Sequence, residues 1–319
     1  MPPAAAPEHY LVYGLALRSS VAIEGLEAIP FDTSRVIDCD VIRGEISSLG
    51  TRGSLLPRDP LDEVGEATVT VEQSRDERGT FVFTYRDGMR FRLEGNGSRI
   101  TAAWDPPATA ADMATYLLGP VLAFVLRLRG NLVLHASAVD CDGRALLLCG
   151  TSGAGKSTTA AAFLNSGANA ITDDVSAIVW RGAVPHVEPG YPRVRLWSDS
   201  AAGLYGDAET LPRLSETWEK RFVDARGRFV RDAVPIGAIA VLAGREPGPP
   251  RIRRLSGHEA AMSLLVRTSA VHLADEATQG NELSRIATLA AAVPVFAVSL
   301  GDDLAALSTS VNALRELLP

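Results

Sequence analysis

The feature that most constrains this chain is the stretch LLLCGTSGAGKSTTAAAF at residues 146–163, an apolar run followed by a glycine-rich loop and a helix-forming run. Gly150, Gly155, Lys156 and Ser157 match the pattern G-x-x-x-x-G-K-[ST]. Glycines in such a loop let successive backbone N–H groups converge on phosphate oxygens, and the N-terminus of the following helix adds partial positive charge. The stretch therefore predicts a strand, a phosphate-binding loop and a helix, which together are typical of an α/β core.

The predicted ligand contacts follow from this loop. The Lys156 ammonium is expected to reach the β and γ phosphates of a nucleotide, and the Ser157 hydroxyl to ligate Mg²⁺. The alternative is a glycine-rich turn beside an exposed lysine. The predicted nucleotide-binding residues are Gly150, Thr151, Ser152, Gly153, Ala154, Gly155, Lys156, Ser157 and Thr158.

Composition and charge argue against nucleic acid and membranes as partners and favour a cytoplasmic location. The 319 residues carry a formal net charge of -7, which argues against broad electrostatic binding to nucleic acid or to an anionic membrane. Three cysteines without C-x-x-C spacing favour free thiols in a reducing compartment. The start of the chain lacks the features of a signal peptide, and the most apolar stretch, 117–126, is shorter than a membrane span. We expect a cytoplasmic protein that binds neither nucleic acid nor membrane.

The first part of the chain, residues 1–107, is predicted to be a β-rich domain. Apolar residues alternate with polar ones on both sides of Asp87-Gly88, which predicts a hairpin with one buried face. Residues 66–73 predict a further strand. The consecutive prolines that end this region cannot continue a strand ladder, so the boundary is placed there.

The second predicted domain covers residues 108–319. It begins with a helical pattern at 108–129, which Pro120 should kink or split. Strand-like and helix-like runs then alternate, as in an α/β fold. The irregular segment 181–232 is long for a simple connection, and segments of that kind are usually functional loops or lids.

An acidic pair, Asp173-Asp174, ends the strand that follows the loop helix. In an α/β sheet this is the carboxyl edge, where ligands bind. One carboxylate would help to hold Mg²⁺ and the other would accept a proton, and the residues leave open which does which. The alternative is a purely structural role in a turn or a helix cap, where aspartate is common. His135 approaches the pair only if its strand is a neighbour, and a histidine among aliphatic residues is usually part of a core.

Together these residues resemble the catalytic domain of HPr kinase/phosphorylase. His135 precedes Gly150 by fifteen residues and Asp174 follows Lys156 by eighteen, the spacings typical of that family. The resemblance implies a core like that of phosphoenolpyruvate carboxykinase. It also implies transfer of the γ-phosphoryl group of ATP to a protein serine, with ATP and Mg²⁺ as cofactors. Asp174 resembles the residue that accepts the serine proton, His135 its supporting partner, and Ser157 a magnesium ligand.

Two features depart from that family. The region after the acidic pair reads VEPGYPRVRLWSDSA instead of the glutamate-led signature, so Glu188 is only a candidate metal ligand beside Ser157 and Asp173. The N-terminal region also differs from the usual regulatory domain. The whole chain more closely resembles the HPr-kinase-like enzymes of ribosomal-peptide biosynthesis, through the stretches YLLGPVLAFVLRLRGNLVLHASAV, GTSGAGKST, DDVSAI and GYPRVRLW. The resemblance to the lasso-peptide branch implies phosphorylation of a serine at the C-terminus of a precursor peptide.

Three functions remain open on these residues. The first is an ATP-dependent serine kinase for a precursor peptide, the second a kinase or phosphorylase for an HPr-like carrier protein, and the third a nucleotide-binding sensor without transfer chemistry.

Arg193 and Arg195 alternate, so they share one face of an extended segment, and Lys220 and Arg221 form a further basic stretch. These four residues are predicted to contact the peptide or small-protein acceptor. The alternative is a solvated surface. Whether the chain forms a homo-oligomer is left open.

The loop assignment predicts the effect of Lys156→Ala. Turnover should be abolished and ATP affinity weakened, because the phosphates lose their main positive partner. The measurement is steady-state phosphoryl transfer together with nucleotide titration. Retention of more than about a tenth of wild-type turnover, a loss below roughly 1.4 kcal/mol, would contradict the assignment.

Overall fold

The structure is a computed structural model of the whole chain. It divides into two compact units, Met1–Arg129 and Gly130–Pro319. The division falls later than the predicted boundary after residue 107, because the helical segment 108–129 packs within the first unit. The residues that the structure describes are 6–30, 32, 34–49, 54–56, 69–74, 79–216, 218–268, 276–302 and 307–319.

The first unit is built on a mixed eight-stranded sheet. Its strands are β1 (Glu8–Val12), β2 (Leu15–Ser19), β3 (Cys39–Arg43), β4 (Ser54–Leu56), β5 (Val69–Gln73), β6 (Phe81–Tyr85), β7 (Arg90–Glu94) and β8 (Arg99–Ala103). They lie in the order β1-β2-β3-β8-β7-β6-β5-β4. The pairs β2–β3 and β3–β8 are parallel and the other pairs are antiparallel.

The hairpin predicted at Asp87-Gly88 is the β6–β7 pair. Gly88 has φ +88°, which glycine adopts without steric cost, and the Tyr85 N–H donates to the Met89 carbonyl at 2.9 Å. The exposure of β7 alternates as predicted. Strand β6 is instead buried on both faces, because Val82 on its second face packs with Ile46 in a small hydrophobic cluster. Of the predicted strand 66–73, residues 66–68 lie outside the described residues.

Pro120 interrupts the helical segment, as predicted. The helix α1 (Ala110–Tyr116) passes into a π-helical turn, Leu117–Val121, and then into α2 (Leu122–Leu128). Proline lacks the N–H that a regular helix requires, and Gly119 leaves helical geometry with φ -97° and ψ -109°. By length and composition, Ala110–Leu128 could cross a membrane, but 78% of its apolar window is buried inside the protein, as in a core helix.

Aromatic side chains fix α2 on the sheet of the first unit. The Phe124 ring meets Phe81 and Phe83 edge to face, with centroids 4.9 and 5.2 Å apart. The Phe124 side chain is only 2% exposed. These contacts explain why the segment after the proline pair belongs to the first unit.

The second unit is built on a nine-stranded sheet. The strands of this unit are β9 (Leu132–Leu134), β10 (Ala136–Cys141), β11 (Arg144–Gly150), β12 (Asn169–Thr172), β13 (Ser176–Arg181), β14 (Val184–Val187), β15 (Arg193–Leu196), β16 (Arg221–Asp224), β17 (Val234–Glu246), β18 (Arg251–Arg254) and β19 (Val295–Gly301). The main path of the sheet runs β12-β10-β11-β17-β14-β13-β9. Strand β19 pairs with β17 and with the edge strand β18, and β15 and β16 form a separate two-stranded sheet. The helices are α3 (Lys156–Asn165), α4 (Ser198–Tyr205), α5 (Gly257–Leu265), α6 (Glu276–Ala292) and α7 (Leu307–Arg315).

The sheet of the second unit has a hydrophobic core on each face. Leu146 and Leu148 of β11 join the cluster that includes Phe163 of α3, whereas Leu147 joins the opposite cluster with Leu264 of α5. A strand covered on both faces is apolar along its whole length, which accounts for the run LLLC. The predicted α/β architecture, with a β-rich region before it, is what the structure has.

Phe124→Ala should destabilise the first unit by about 3 to 5 kcal/mol, because it removes a buried ring and leaves a cavity. Urea unfolding followed by circular dichroism measures this change. The control is Val36→Ala, since Val36 is 81% exposed and should change the free energy of unfolding little. Equal stability of both variants would show that the ring does not hold α2 on the sheet.

Candidate active site

The glycine-rich loop lies where the sequence predicts it, between the end of β11 and the start of α3. Gly153 and Gly155 have φ of +76° and +95°, in the left-handed region that favours glycine. A Cβ atom on Gly150 would lie 2.9 Å from Ala154 Cβ and 3.2 Å from the Leu242 carbonyl oxygen. The backbone conformation of the loop therefore favours glycine at 153 and 155, and close packing requires it at 150.

Lys156 and Thr158 are the first buried side chains of α3. The Lys156 ammonium donates to the carbonyl oxygens of Gly150 and Thr151, both at 2.9 Å. The Thr158 hydroxyl donates to Ser200 Oγ of α4 at 3.0 Å, so this predicted nucleotide contact is engaged with a neighbouring helix. No side chain caps the N-terminus of α3 at Gly155.

Asp173 joins three segments of the second unit. Its Oδ1 accepts from Ser157 Oγ at 2.9 Å and from Ser137 Oγ at 2.6 Å. Its Oδ2 accepts from the backbone N–H of Arg195 at 2.9 Å. The residue is 1% exposed. The loop helix, β10 and β15 therefore meet at one carboxylate.

Asp174 follows in the turn between β12 and β13, with φ +74°. Its Oδ1 lies 3.1 Å from His135 Nδ1, and its Oδ2 forms a short ion pair with the Arg195 guanidinium. Burial raises the pKa of the Asp174 carboxyl, but Arg195, His135 and Lys220 outweigh it and hold that pKa well below its ordinary value. Asp174 is therefore ionised at neutral pH and held in place by two partners.

The sequence placed His135 within a strand, but the residue lies at the break between β9 and β10. Its backbone N–H donates to the Arg267 carbonyl at 2.8 Å, and its Nδ1 is also 3.1 Å from the Asp174 carbonyl oxygen. Because β10 pairs with β12, the strand that leads to the acidic pair, the ring reaches Asp174. The structure thus brings together His135, the glycine-rich loop and both aspartates.

Glu188 is not part of this arrangement. Its carboxylate lies 3.9 Å from the Arg181 guanidinium, and burial raises its pKa. Within the described part of the chain, no group of three or more His, Cys, Asp or Glu side chains is arranged to hold a metal ion. The contact that the structure gives the Glu188 carboxylate is thus with Arg181, and its role as a metal ligand beside Ser157 and Asp173 stays a prediction.

The four basic residues predicted to bind the acceptor divide into two groups. Arg195 is buried against Asp174, and Arg221 is buried with its guanidinium donating to the Leu211 carbonyl at 3.0 Å and paired with Glu209. Both side chains are therefore internal, contrary to the expectation for an acceptor contact. Arg193 and Lys220 instead lie over aromatic rings near the surface.

Sequence reasoning missed two residues of this site. Ser137 binds Asp173, and its signal was its position two residues after His135, which places the two on one side of an extended chain. Arg245 lies near the end of β17, which runs parallel to β11, so the two carboxyl ends share an edge. Its Nη2 lies 3.0 Å from the point where a Cβ on Gly155 would stand, which puts a guanidinium against the loop.

These residues fit a magnesium nucleotide. The loop is too close-packed at Gly150 for any side chain, as a backbone phosphate cradle requires. Ser157 and Asp173 offer hydroxyl and carboxylate oxygens side by side, the ligands that Mg²⁺ prefers.

The similarities that comparisons with known proteins give are to solved structures. No model of a protein family matches the chain, and no curated protein matches it. Among solved structures, the HPr(Ser) kinase/phosphatase from Coxiella burnetii is similar, with 13% sequence identity and a TM-score of 0.31, over 58% of this chain and 96% of that one.

The lowered pKa of Asp174 predicts a pH dependence of stability. Its ion pair with Arg195 stabilises the fold fully above the ordinary aspartate pKa of about 3.9, and this stabilisation is lost as the pH falls toward the lower pKa of the folded protein. The difference in the free energy of unfolding between wild type and Asp174→Asn should therefore shrink on acidification. Urea unfolding at several pH values measures it.

The control for this experiment is the same comparison in an Arg195→Gln background. Without the guanidinium, the pKa of Asp174 returns toward its ordinary value, so the difference should change less with pH. If both backgrounds show the same pH dependence, Arg195 is not what holds Asp174 in its ionised form.

Proposed function

We propose that this protein is an ATP- and Mg²⁺-dependent kinase that transfers the γ-phosphoryl group to a serine hydroxyl. The observation that carries the proposal is the meeting of Ser157, Ser137 and the Arg195 backbone on the Asp173 carboxylate, directly beside Asp174. This arrangement couples a phosphate-binding loop to a fixed carboxylate. A sensor needs only the loop, so the fixed second carboxylate favours transfer over binding alone.

The loop residues and Lys156 would hold the phosphates, with the Arg245 guanidinium adding positive charge at Gly155. Ser157 and Asp173 would hold the magnesium ion. When bound, Mg²⁺ neutralises charge that develops on the phosphate oxygens. This division assigns the metal to Asp173, because it is Asp173 and not Asp174 that contacts the loop serine.

Asp174 would act on the acceptor. Its carboxylate accepts a hydrogen bond from the serine hydroxyl and takes the proton as the serine oxygen bonds to the γ-phosphorus. The bond from that phosphorus to the β-phosphate bridging oxygen breaks, and ADP leaves. His135 and Arg195 are positioning residues, since they fix Asp174 and keep it charged.

For the acceptor we propose a serine of a ribosomal precursor peptide, as in lasso-peptide tailoring, on the strength of the sequence features described above. An HPr-like carrier protein would use the same site and differ only in the acceptor. Either reaction fits the predicted cytoplasmic location, where ATP is available. Mass spectrometry after incubation with Mg-ATP and each acceptor tests the proposal, and a gain of one phosphoryl group on serine is the expected result.

Asp174→Asn and Asp173→Asn should have different effects. Asp174→Asn keeps the shape but removes the charge and the basicity, so turnover should fall about 10² to 10⁴-fold while Mg-ATP binding stays within roughly tenfold. Asp173→Asn should instead weaken Mg-ATP binding by more than about tenfold, because a carboxylate metal ligand is lost. Calorimetric titration and single-turnover kinetics separate the two effects.

Two outcomes would contradict these roles. Collapse of Mg-ATP binding in Asp174→Asn, with normal binding in Asp173→Asn, would exchange the two assignments. Full activity and binding in both variants would exclude this mechanism for the protein. Circular dichroism of each variant checks that the fold is retained.

A further inference from the structure

An exposed tryptophan follows the strand whose Arg195 binds Asp174. Trp197 follows β15 directly and is 51% exposed, although large apolar side chains are usually buried. The Lys220 ammonium lies 4.6 Å from the centre of its ring. The Ser198 hydroxyl donates to the Glu219 carbonyl at 3.2 Å, which ties the two segments together.

The pairing of β15 with β16 explains why these side chains are aligned. Arg195 lies opposite Phe222, and the Arg193 guanidinium stacks on that ring at 4.1 Å. Alternate residues of an extended chain share a face. Arg193, Arg195 and Trp197 therefore stand in a row on one face, beside Phe222 and Lys220 of the partner segment. We call this face the β15–β16 face.

Asp174 lies against the middle of the β15–β16 face, because Arg195 binds it. Trp197 follows Arg195 by two residues and the Lys220 ammonium lies over its ring, so both side chains stand next to the point where Arg195 binds Asp174. A peptide with its serine at Asp174 would thus place a neighbouring residue at Trp197 and Lys220. The Trp197 ring can pack against the apolar part of such a residue, and the Lys220 ammonium can bind a negatively charged group at its end.

We propose that Trp197 and Lys220 bind the residue next to the acceptor serine, and that this residue presents a carboxylate. The inference rests on the proposed kinase function and names the substrate class of the same site. The carboxylate is either an acidic side chain or the C-terminus of the peptide. Trp197 is a specificity residue here and takes no part in the transfer itself.

The test uses short acetylated alanine peptides with one serine. In one pair, the serine is followed by glutamate or by glutamine, with an amidated C-terminus. In the other pair, the serine is followed by one final alanine, with a free or an amidated C-terminal carboxyl group. The pair in which the carboxylate lowers the KM by about tenfold identifies its source, an effect typical of one charge-assisted contact.

The substitutions then assign the preference to the two side chains. Lys220→Met should remove the preference for carboxylate, and Trp197→Ala should raise the KM for both members of the preferred pair by about fivefold, with the KM for ATP unchanged. Trp104→Ala is the matched control, since Trp104 carries Arg43 at 4.2 Å in a similar contact in the first unit. This variant should behave as wild type.

A binding measurement separates this inference from the proposed function. The preferred peptide should protect Trp197 from fluorescence quenching by acrylamide without any nucleotide, and Trp197→Phe should lose that protection. Protection without phosphorylation by the wild type would overturn the kinase proposal and keep the carboxylate site. Phosphorylation with an unchanged carboxylate preference in Lys220→Met would overturn the site and keep the kinase. Neither protection nor preference in the wild type would also overturn the site.

Discussion

The candidate site depends on the buried carboxylate of Asp173. A carboxylate removed from water is costly unless several donors replace its hydration, and here two hydroxyls and one backbone N–H do so. The donors belong to β10, α3 and β15, which are far apart in the chain. One side chain therefore fixes the position of the loop helix relative to the strand that carries Arg195. Loss of any donor would leave a buried acceptor partly unsatisfied.

The sequence predicted well where a few neighbouring residues determine the structure. The glycines between an apolar run and a helical run require a strand, a loop and a helix, and Asp87-Gly88 requires a hairpin. Pro120 interrupts its helix because the missing N–H acts at that position alone. The approach of His135 to the acidic pair is different, because it joins residues that are distant in the chain. It depends on the β10–β12 pairing, which the spacing of the residues suggested but did not determine.

The rest of the site depends on strand register, which no local pattern reveals. Four basic residues in the irregular segment looked equivalent, yet Arg195 and Arg221 are buried with acidic partners while Arg193 and Lys220 lie over aromatic rings. The β15–β16 pairing places Arg221 on the opposite face from the other three, and Arg195 is buried because it binds Asp174. Ser137 and Arg245 were missed for the same reason, since each reaches the site through a strand neighbour distant in sequence. Glu188 was proposed as a ligand from its place in the chain, and this stays a prediction.

The two aspartates differ in what surrounds them, and this difference defines their chemistry. A base whose pKa is well below its ordinary value binds a proton weakly, so Asp174 cannot remove the serine proton before bonding to phosphorus begins. Phosphoryl transfer does not require this, because its transition state is loose and the hydroxyl becomes acidic only as its oxygen bonds to phosphorus. A permanently charged, fixed carboxylate therefore serves mainly to orient the hydroxyl. Arg195 links the two roles, since its side chain holds Asp174 and its backbone holds Asp173.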